Sequence, residues 1–312
     1  MAEKGKFKTT VGGQAVMEGV MMQGPDKWCL AVRQPNGEIC AEVHDVAAKH
    51  ALAKVPFVRG ITNYITTLLM GYQTMMRSAE LATGEENGGE EPSKFEKWVD
   101  KTFGDKGTKV LLGFSAVMGV ALALGLFMVL PTGAVGLFDT YVLPLGGWKT
   151  LLEGLIKIGL FVSYLAVIRL SKDIRRVFGF HGAEHKTIYC YESGEELTVE
   201  NVRHHSRFHP RCGTSFLLIV LVVSILLFSV VPWTSTLLRV GIKLLMLPLV
   251  MSISYEIIRL AGRYDNVVTR IISAPGMWLQ RLTTDEPDDT MIEVAMAAVT
   301  PVLPAQPEAA KW

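Results

Sequence analysis

Charge is scarce in this chain. Only 20% of its 312 residues are Asp, Glu, Lys or Arg, against 49% that are hydrophobic, which argues against an ordinary soluble domain and makes membrane residence the first possibility to test. Cysteine is scarce too. Cys29, Cys40, Cys190 and Cys212 form no CxxC pair and no closely spaced framework, so neither a disulfide scaffold nor a zinc ribbon is expected, and the thiols should be reduced. Glu18 interrupts the one early apolar run, so no cleavable signal is expected, and no internal repeat is visible.

What the chain does have is long uncharged runs. Residues 110–130 give 21 consecutive positions without charge and residues 213–231 give 19, each close to the roughly 20 needed to cross a hydrocarbon core about 30 Å thick. Two further candidate spans, 150–168 and 237–258, carry ionisable residues. Glu153 and Lys157 are spaced to pair on one helix face, while Arg239 and Lys243 lie near an end where long stems can snorkel. The expected fold class is an α-helical polytopic membrane protein with about four transmembrane helices and a small N-terminal β-containing cytoplasmic region. Residues 169–212 hold eight Lys or Arg while 131–150 hold only Lys149, so the loop between the second and third spans is expected in the cytoplasm, with both termini.

Four regions are expected: a β-hairpin region plus amphipathic helix over 1–81, an acidic linker and juxtamembrane segment over 82–109, a membrane domain over 110–258 with a cytoplasmic loop at 171–211, and a cytoplasmic segment over 259–312. In the first, 28–33 and 39–43 read as a hairpin around Asn36-Gly37, a pair suited to a type I′ turn, and 12–22 as a further strand. Apolar residues at spacings of three and four from Pro56 to Leu81 predict a helix that covers the sheet or lies in the membrane interface. In the last, Pro275-Gly276 is expected to break the chain, residues 285–289 place acids before a helix over 290–299, and the tail from Pro301 is expected to be disordered.

Five of the seven histidines fall within the 29 residues from His181 to His209. If residues 172–192 are helical, His181 and His185 project from one face and offer two imidazoles to one metal, with Glu184 beside them as a base that is not a ligand. This H-x-x-E-H spelling is the inverse of H-E-x-x-H. A catalytic zinc site wants a third protein ligand and an open position, and His209, Cys212 and Glu256 are the candidates, with His209 or Cys212 favoured and the choice between them open. A second helix is expected from about Thr198, and Glu18 is a further carboxylate that could reach the site. His204 and His205, an adjacent pair, are set aside. Arg203, Arg207 and Arg211 form a basic stripe if the second helix reaches that far, fitted to anionic lipid headgroups rather than nucleic acid.

With these residues in view the sequence resembles the YqhQ-like family of bacterial membrane proteins. The resemblance runs through residues 12–22, 56–60, the run His181-Gly182-Ala183-Glu184-His185-Lys186, residues 209–215 and residues 278–284. It implies a predicted metal-dependent enzyme of the bacterial inner membrane. The expected function is therefore a metal-dependent hydrolase, with a divalent metal such as zinc, acting at the cytoplasmic membrane face on a membrane protein or lipid. The alternative is a non-enzymatic adaptor or assembly factor that binds a translocation or cell-envelope complex.

Overall fold

The computed structural model describes residues 7–47, 55–84, 107–233, 235–264 and 266–304. Most of the acidic linker, 85–106, and the tail from 305 lie outside them. By packing, the chain divides into two units, one of Met1–Gly88, Leu165–Val223 and Pro248–Trp312, the other of Gly89–Tyr164 and Ser224–Leu247.

The first unit is built on a four-stranded antiparallel sheet in chain order: β1 (Gly12–Val16), β2 (Gly19–Gln23), β3 (Lys27–Arg33) and β4 (Ile39–Asp45). The expected strand over 12–22 is thus a hairpin of two, turned at Met17-Glu18 with Glu18 at a positive φ of 48°. The β3–β4 hairpin forms as expected, but its turn differs. Register pairs Arg33 with Ile39, which leaves five loop residues, and of Asn36 and Gly37 only Gly37 has positive φ, so the two-residue type I′ turn is not made. The sheet is covered on both faces. Val20, Met22, Cys29 and Ala31 pack against Phe180, Ala183, Ile292 and Val299, while Val16, Met21, Leu30 and Val32 pack against Leu81 of α1 (Val58–Thr83).

α1 follows the sequence pattern. Its C-terminal half covers the sheet, whereas Ile65, Leu68, Leu69 and Tyr72 keep their apolar surface exposed. At its other end Gly60 lies against Ser252 and Tyr255, where any Cβ would come within 2.9 Å of the Ser252 backbone.

Three apolar helices follow the length rule for a membrane span: Gly113–Tyr141 at 29 residues, Gly146–Ile168 at 23 and Thr236–Ala261 at 26. The first comprises most of α2 (Gly107–Leu124), a π-turn (Gly125–Val129) and α3 (Leu130–Tyr141); the others contain α4 (Lys149–Ile168) and lie in α8 (Thr236–Arg263). The fourth expected span is shorter. α7 (Gly213–Phe228) has 16 residues, about 24 Å of helix, and ends ahead of Pro232, whose ring disfavours helix in the residue before it.

Between the spans, α5 (Lys172–Ser193) carries the histidine pair and stops at Gly194 in the left-handed conformation. α6 (Val199–His204) starts at Thr198, whose side chain accepts from Asn201 N, and ends at His204. The proposed basic stripe therefore does not form, because Arg207 and Arg211 lie beyond the helix; Arg203 pairs with Asp289, Arg207 faces Asp285 and Arg211 pairs with Glu192.

The C-terminal segment corrects two expectations. α9 (Val267–Thr283), opened by a capping box at Asn266, runs unbroken through Pro275-Gly276, and Gly276 packs so closely on Ser215 that a Cβ would lie 2.5 Å from its hydroxyl. α10 (Asp289–Val299), capped by Asp288, is followed by a short 3₁₀ turn (Thr300–Val302) whose Val302 is buried, so residues 301–304 are ordered against the sheet.

In the second unit the expected Glu153–Lys157 pair is replaced. Glu153 Oε2 accepts from Arg239 Nη2 at 3.1 Å, and Oε1 accepts from Thr132 Oγ1 at 2.9 Å and from Lys243 Nζ. Arg239 and Lys243 do not snorkel but are fully buried, because in a low-dielectric interior a carboxylate is the partner that offsets their desolvation.

Candidate functional site

Helical spacing puts the two α5 imidazoles one turn apart, with ring centroids 4.4 Å from each other. Gly182 between them faces the sharp entry to α10, where a Cβ would stand 2.1 Å from the Asp285 carbonyl oxygen. Only glycine lets α5 approach that strand of chain.

Backbone carbonyls orient both rings. His181 Nδ1 lies 2.8 Å from the carbonyl oxygen of Thr283, the last residue of α9, and His185 Nδ1 lies 2.6 Å from that of Arg207. A carbonyl only accepts, so each Nδ1 carries a proton and each Nε2 is the nitrogen left to face the cluster. His181 Nε2 sits 3.0 Å from Cys212 Sγ, His185 Nε2 is buried with no partner, and donor atoms of the three residues all fall within 4.8 Å of one another.

Electrostatics couple the group. Burial opposes charge on His181, yet the Cys212 sulfur and the Glu184 carboxylate raise it to about 9. Burial likewise pushes the Cys212 thiol up, but His181 and His185 hold it well below its ordinary value. His181 and Cys212 thus favour an imidazolium–thiolate pair at neutral pH, and loss of the His181 Nε2 proton would leave two imidazole lone pairs and a thiolate, a donor set of the kind that binds zinc.

Glu184, between the histidines in sequence, turns toward β1. Gly13 N donates to its Oε1 at 3.0 Å, while Oε2 is buried and unpartnered. Burial, against the pull of both histidines, raises its carboxyl above the ordinary range. Glu184, His185, Cys212 and the backbone of Gly12-Gly13 line one cavity of about 150 Å³, which can admit a small group beside the donors.

The other candidates are placed elsewhere. His209 also lines the cavity, but its Nε2 faces Glu192 Oε2 at 3.7 Å and it is not one of the converging donors. Burial depresses its pKa to about 4, with Arg211 adding to the effect and Glu192 opposing it. Glu18 pairs with Arg176 through two contacts of 2.5 Å at the β1–β2 turn. Glu256 forms a bidentate pair with Arg59, at 2.6 and 2.5 Å, rather than meeting the histidines. Both carboxylates were open candidates on sequence alone because their partners are 158 and 197 residues away.

Three features escaped the sequence reading. Gln280 of α9, fully buried, clamps the backbone of His209 from both sides: its Oε1 accepts from His209 N at 2.8 Å and its Nε2 donates to His209 O at 2.7 Å. Glu192 accepts from Thr9 N at 2.7 Å and pairs with Arg211, holding the same loop from α5. A second converging set, Cys190, Glu195 and His205, surrounds the α5–α6 turn, so His205 has polar company that its place in an adjacent pair concealed. The clearest available sequence signal was Gln280 itself, within the 278–284 segment already singled out.

No solved structure matches the chain. "Uncharacterized protein YqhQ" of Bacillus subtilis (strain 168) is 33% identical over 309 residues, covering 96% of this chain and 94% of that protein. The profile of the family described as "Protein of unknown function (DUF1385)" matches residues 55–305, which include α5, the 209–212 loop and α9. The chain belongs to that family.

Proposed function

We propose that this protein is a membrane-embedded, metal-dependent hydrolase, with zinc held by His181, His185 and Cys212 and with Glu184 moving the proton. One observation carries the reading: three donor atoms of zinc-binding type lie within 4.8 Å of one another, beside a buried carboxylate oxygen that nothing engages. Zinc in such a setting supplies a Lewis acid that acidifies water toward neutral pH. The chain's own residues do the rest. Thr283 and Arg207 carbonyls fix the imidazole tautomers, Gly13 N holds one Glu184 oxygen, and the other is left to take up and return a proton inside the cavity. The raised carboxyl of Glu184 suits a group that takes up a proton more readily than an ordinary carboxylate.

Substrate is drawn from the membrane, a lipid or a peptide of a membrane protein. Supporting this, α1 and α9 expose apolar side chains, Leu68, Leu69 and Tyr72 on one and Val267, Ile271 and Trp278 on the other, while the last turn of α9 contacts His181. Packing also bears on topology. The sheet contacts both α5 and α10, which supports placing all three on one side of the membrane with an even number of crossings between them in sequence. The spans Gly113–Tyr141 and Gly146–Ile168 supply two before α5; the span in α8 needs α7 as its companion before α10. At about 24 Å, α7 crosses with local thinning of the bilayer. A four-span arrangement with the eight Lys and Arg of 169–212 on the cytoplasmic side supports a cytoplasmic setting for the site and both flanking regions.

The test is Glu184→Gln in a strain whose growth or envelope phenotype depends on the protein. A hydrolase loses its function while the purified variant keeps its metal; an adaptor keeps its function, and that outcome would remove the enzymatic reading.

A further inference from the structure

Where α5 turns into α6, Cys190, Glu195 and His205 bring together a thiol, a carboxylate and an imidazole, all of zinc-binding type, with donor atoms within 4.8 Å of one another. Cys190 lies fully buried in the last turn of α5, Glu195 follows the left-handed Gly194 that ends that helix, and His205 closes α6. The backbone of the turn is held by its own bonds. Glu195 N donates to Cys190 O at 3.3 Å, and Glu196 O accepts from Thr198 N and from Asn201 Nδ2, each at 2.9 Å. The three side chains therefore converge on a turn already shaped, which keeps the ordering cost of ligation small.

Spacing separates ligation from an ordinary ion pair. His205 Nε2 faces Glu195 Oε2 at 3.4 Å and Ser193 Oγ at 3.5 Å. A charge-assisted hydrogen bond would close the first to about 2.7–2.9 Å. Nitrogen and oxygen ligands at about 2.0–2.2 Å from a tetrahedral zinc stand about 3.3–3.6 Å apart, so the His205–Glu195 separation is that of two corners of one coordination shell. We propose that Cys190, Glu195 and His205 form a second zinc site, separate from the His181 group, with water at the fourth position. A thiolate and a carboxylate balance the two charges of the ion. Glu195 is half exposed, which gives the ion a path from solvent, while Cys190 and His205 are buried. A zinc at this place ties the end of α5 to the segment that starts at His205 and, two residues on, supplies the Arg207 carbonyl to His185.

Full-length Cys212→Ser protein loaded with cobalt(II) in place of zinc tests the site without the sulfur of the histidine group. Thiolate-to-cobalt charge-transfer absorption should appear in that protein and saturate with added cobalt. It should be lost when Cys190→Ser is added, and Glu195→Gln in the same background should weaken cobalt binding at least about 10-fold. Absence of the absorption in Cys212→Ser, or absorption and affinity that survive either further substitution, would overturn the proposal. Should the buried Cys190→Ser fail to fold, the half-exposed Glu195→Gln decides by itself. Either result is independent of whether the His181 group binds metal.

Discussion

His181 Nε2 lies 3.0 Å from Cys212 Sγ, across a gap of 31 residues in sequence. The contact brings a helix-borne imidazole to the cysteine that precedes α7, and with His185 it defines where a metal would sit. The same contact also fits a cysteine nucleophile activated by histidine. The two chemistries separate on Cys212 itself. Zinc ligation should protect Cys212 from iodoacetamide and chelation should expose it to rapid alkylation below neutral pH, measured by mass spectrometry of the labelled peptide. Equal labelling with and without zinc would favour the nucleophile.

Gln280 should act on the site without touching it. In Gln280→Ala the His209 N–H and C=O lose their partners in a buried setting, at a cost of about 1–3 kcal/mol each. The 209–212 loop then holds Cys212 less firmly, and zinc affinity should fall about 10-fold, as for other changes in the groups that orient ligands. Competition with a chromophoric chelator reads the affinity, and the thermal midpoint reads the stability.

Gly182→Ala should be more damaging than its size implies. The added methyl meets the Asp285 carbonyl oxygen at 2.1 Å, a backbone atom that also belongs to the chain entering α10. Overpacking of this kind costs about 1–3 kcal/mol or more, and the shift it forces on α5 should lower metal content as well as the thermal midpoint.

Acid should destabilise the first unit through His209 and Glu192. Burial depresses His209 from 6.5 to about 4, so between these values the unfolded chain binds a proton that the folded chain does not. The His209 contribution to stability is therefore complete above about 6.5 and declines as pH falls toward 4. Glu192 adds to the loss at lower pH: burial alone would raise it, but the His209 contact and Arg211 hold it below the usual carboxylate range. Midpoints measured across this window should slope downward with acid, and His209→Asn should flatten the upper part of the slope.

Much of the site was legible in the sequence, because its logic there is local. His181, Glu184 and His185 share one helix, and i, i+4 spacing alone sets the two imidazoles together. The third donor was legible only as a choice between His209 and Cys212. His209 and Cys212 lie three apart in a stretch without regular structure, where His209 is held by Gln280 and faces Glu192 while Cys212 meets His181, partners that local spacing does not reveal. The same limit governs Glu18, Glu256 and Glu153, whose partners come from distant elements. In the sheet, the unbroken apolar run of β2 hid a hairpin because that strand is covered on both faces, so no alternation marks it.

Glu18 and Glu256, now placed in ion pairs with Arg176 and Arg59, should be dispensable for metal. Glu18→Gln and Glu256→Gln are expected to keep the wild-type zinc content and to change stability by no more than about 1 kcal/mol, the range for partly exposed pairs. Loss of zinc from either variant would return that carboxylate to the ligand set.

The central claim rests on the His181, His185 and Cys212 group, and the most direct measurement is elemental analysis of the purified full-length protein beside His181→Ala/His185→Ala, prepared without chelator or metal-affinity resin. The wild-type protein should carry stoichiometric zinc, and the double variant should lose one equivalent while keeping the secondary structure of the wild type. Metal-free wild-type protein that also fails to take up added zinc, or a folded double variant with unchanged zinc content, would contradict it.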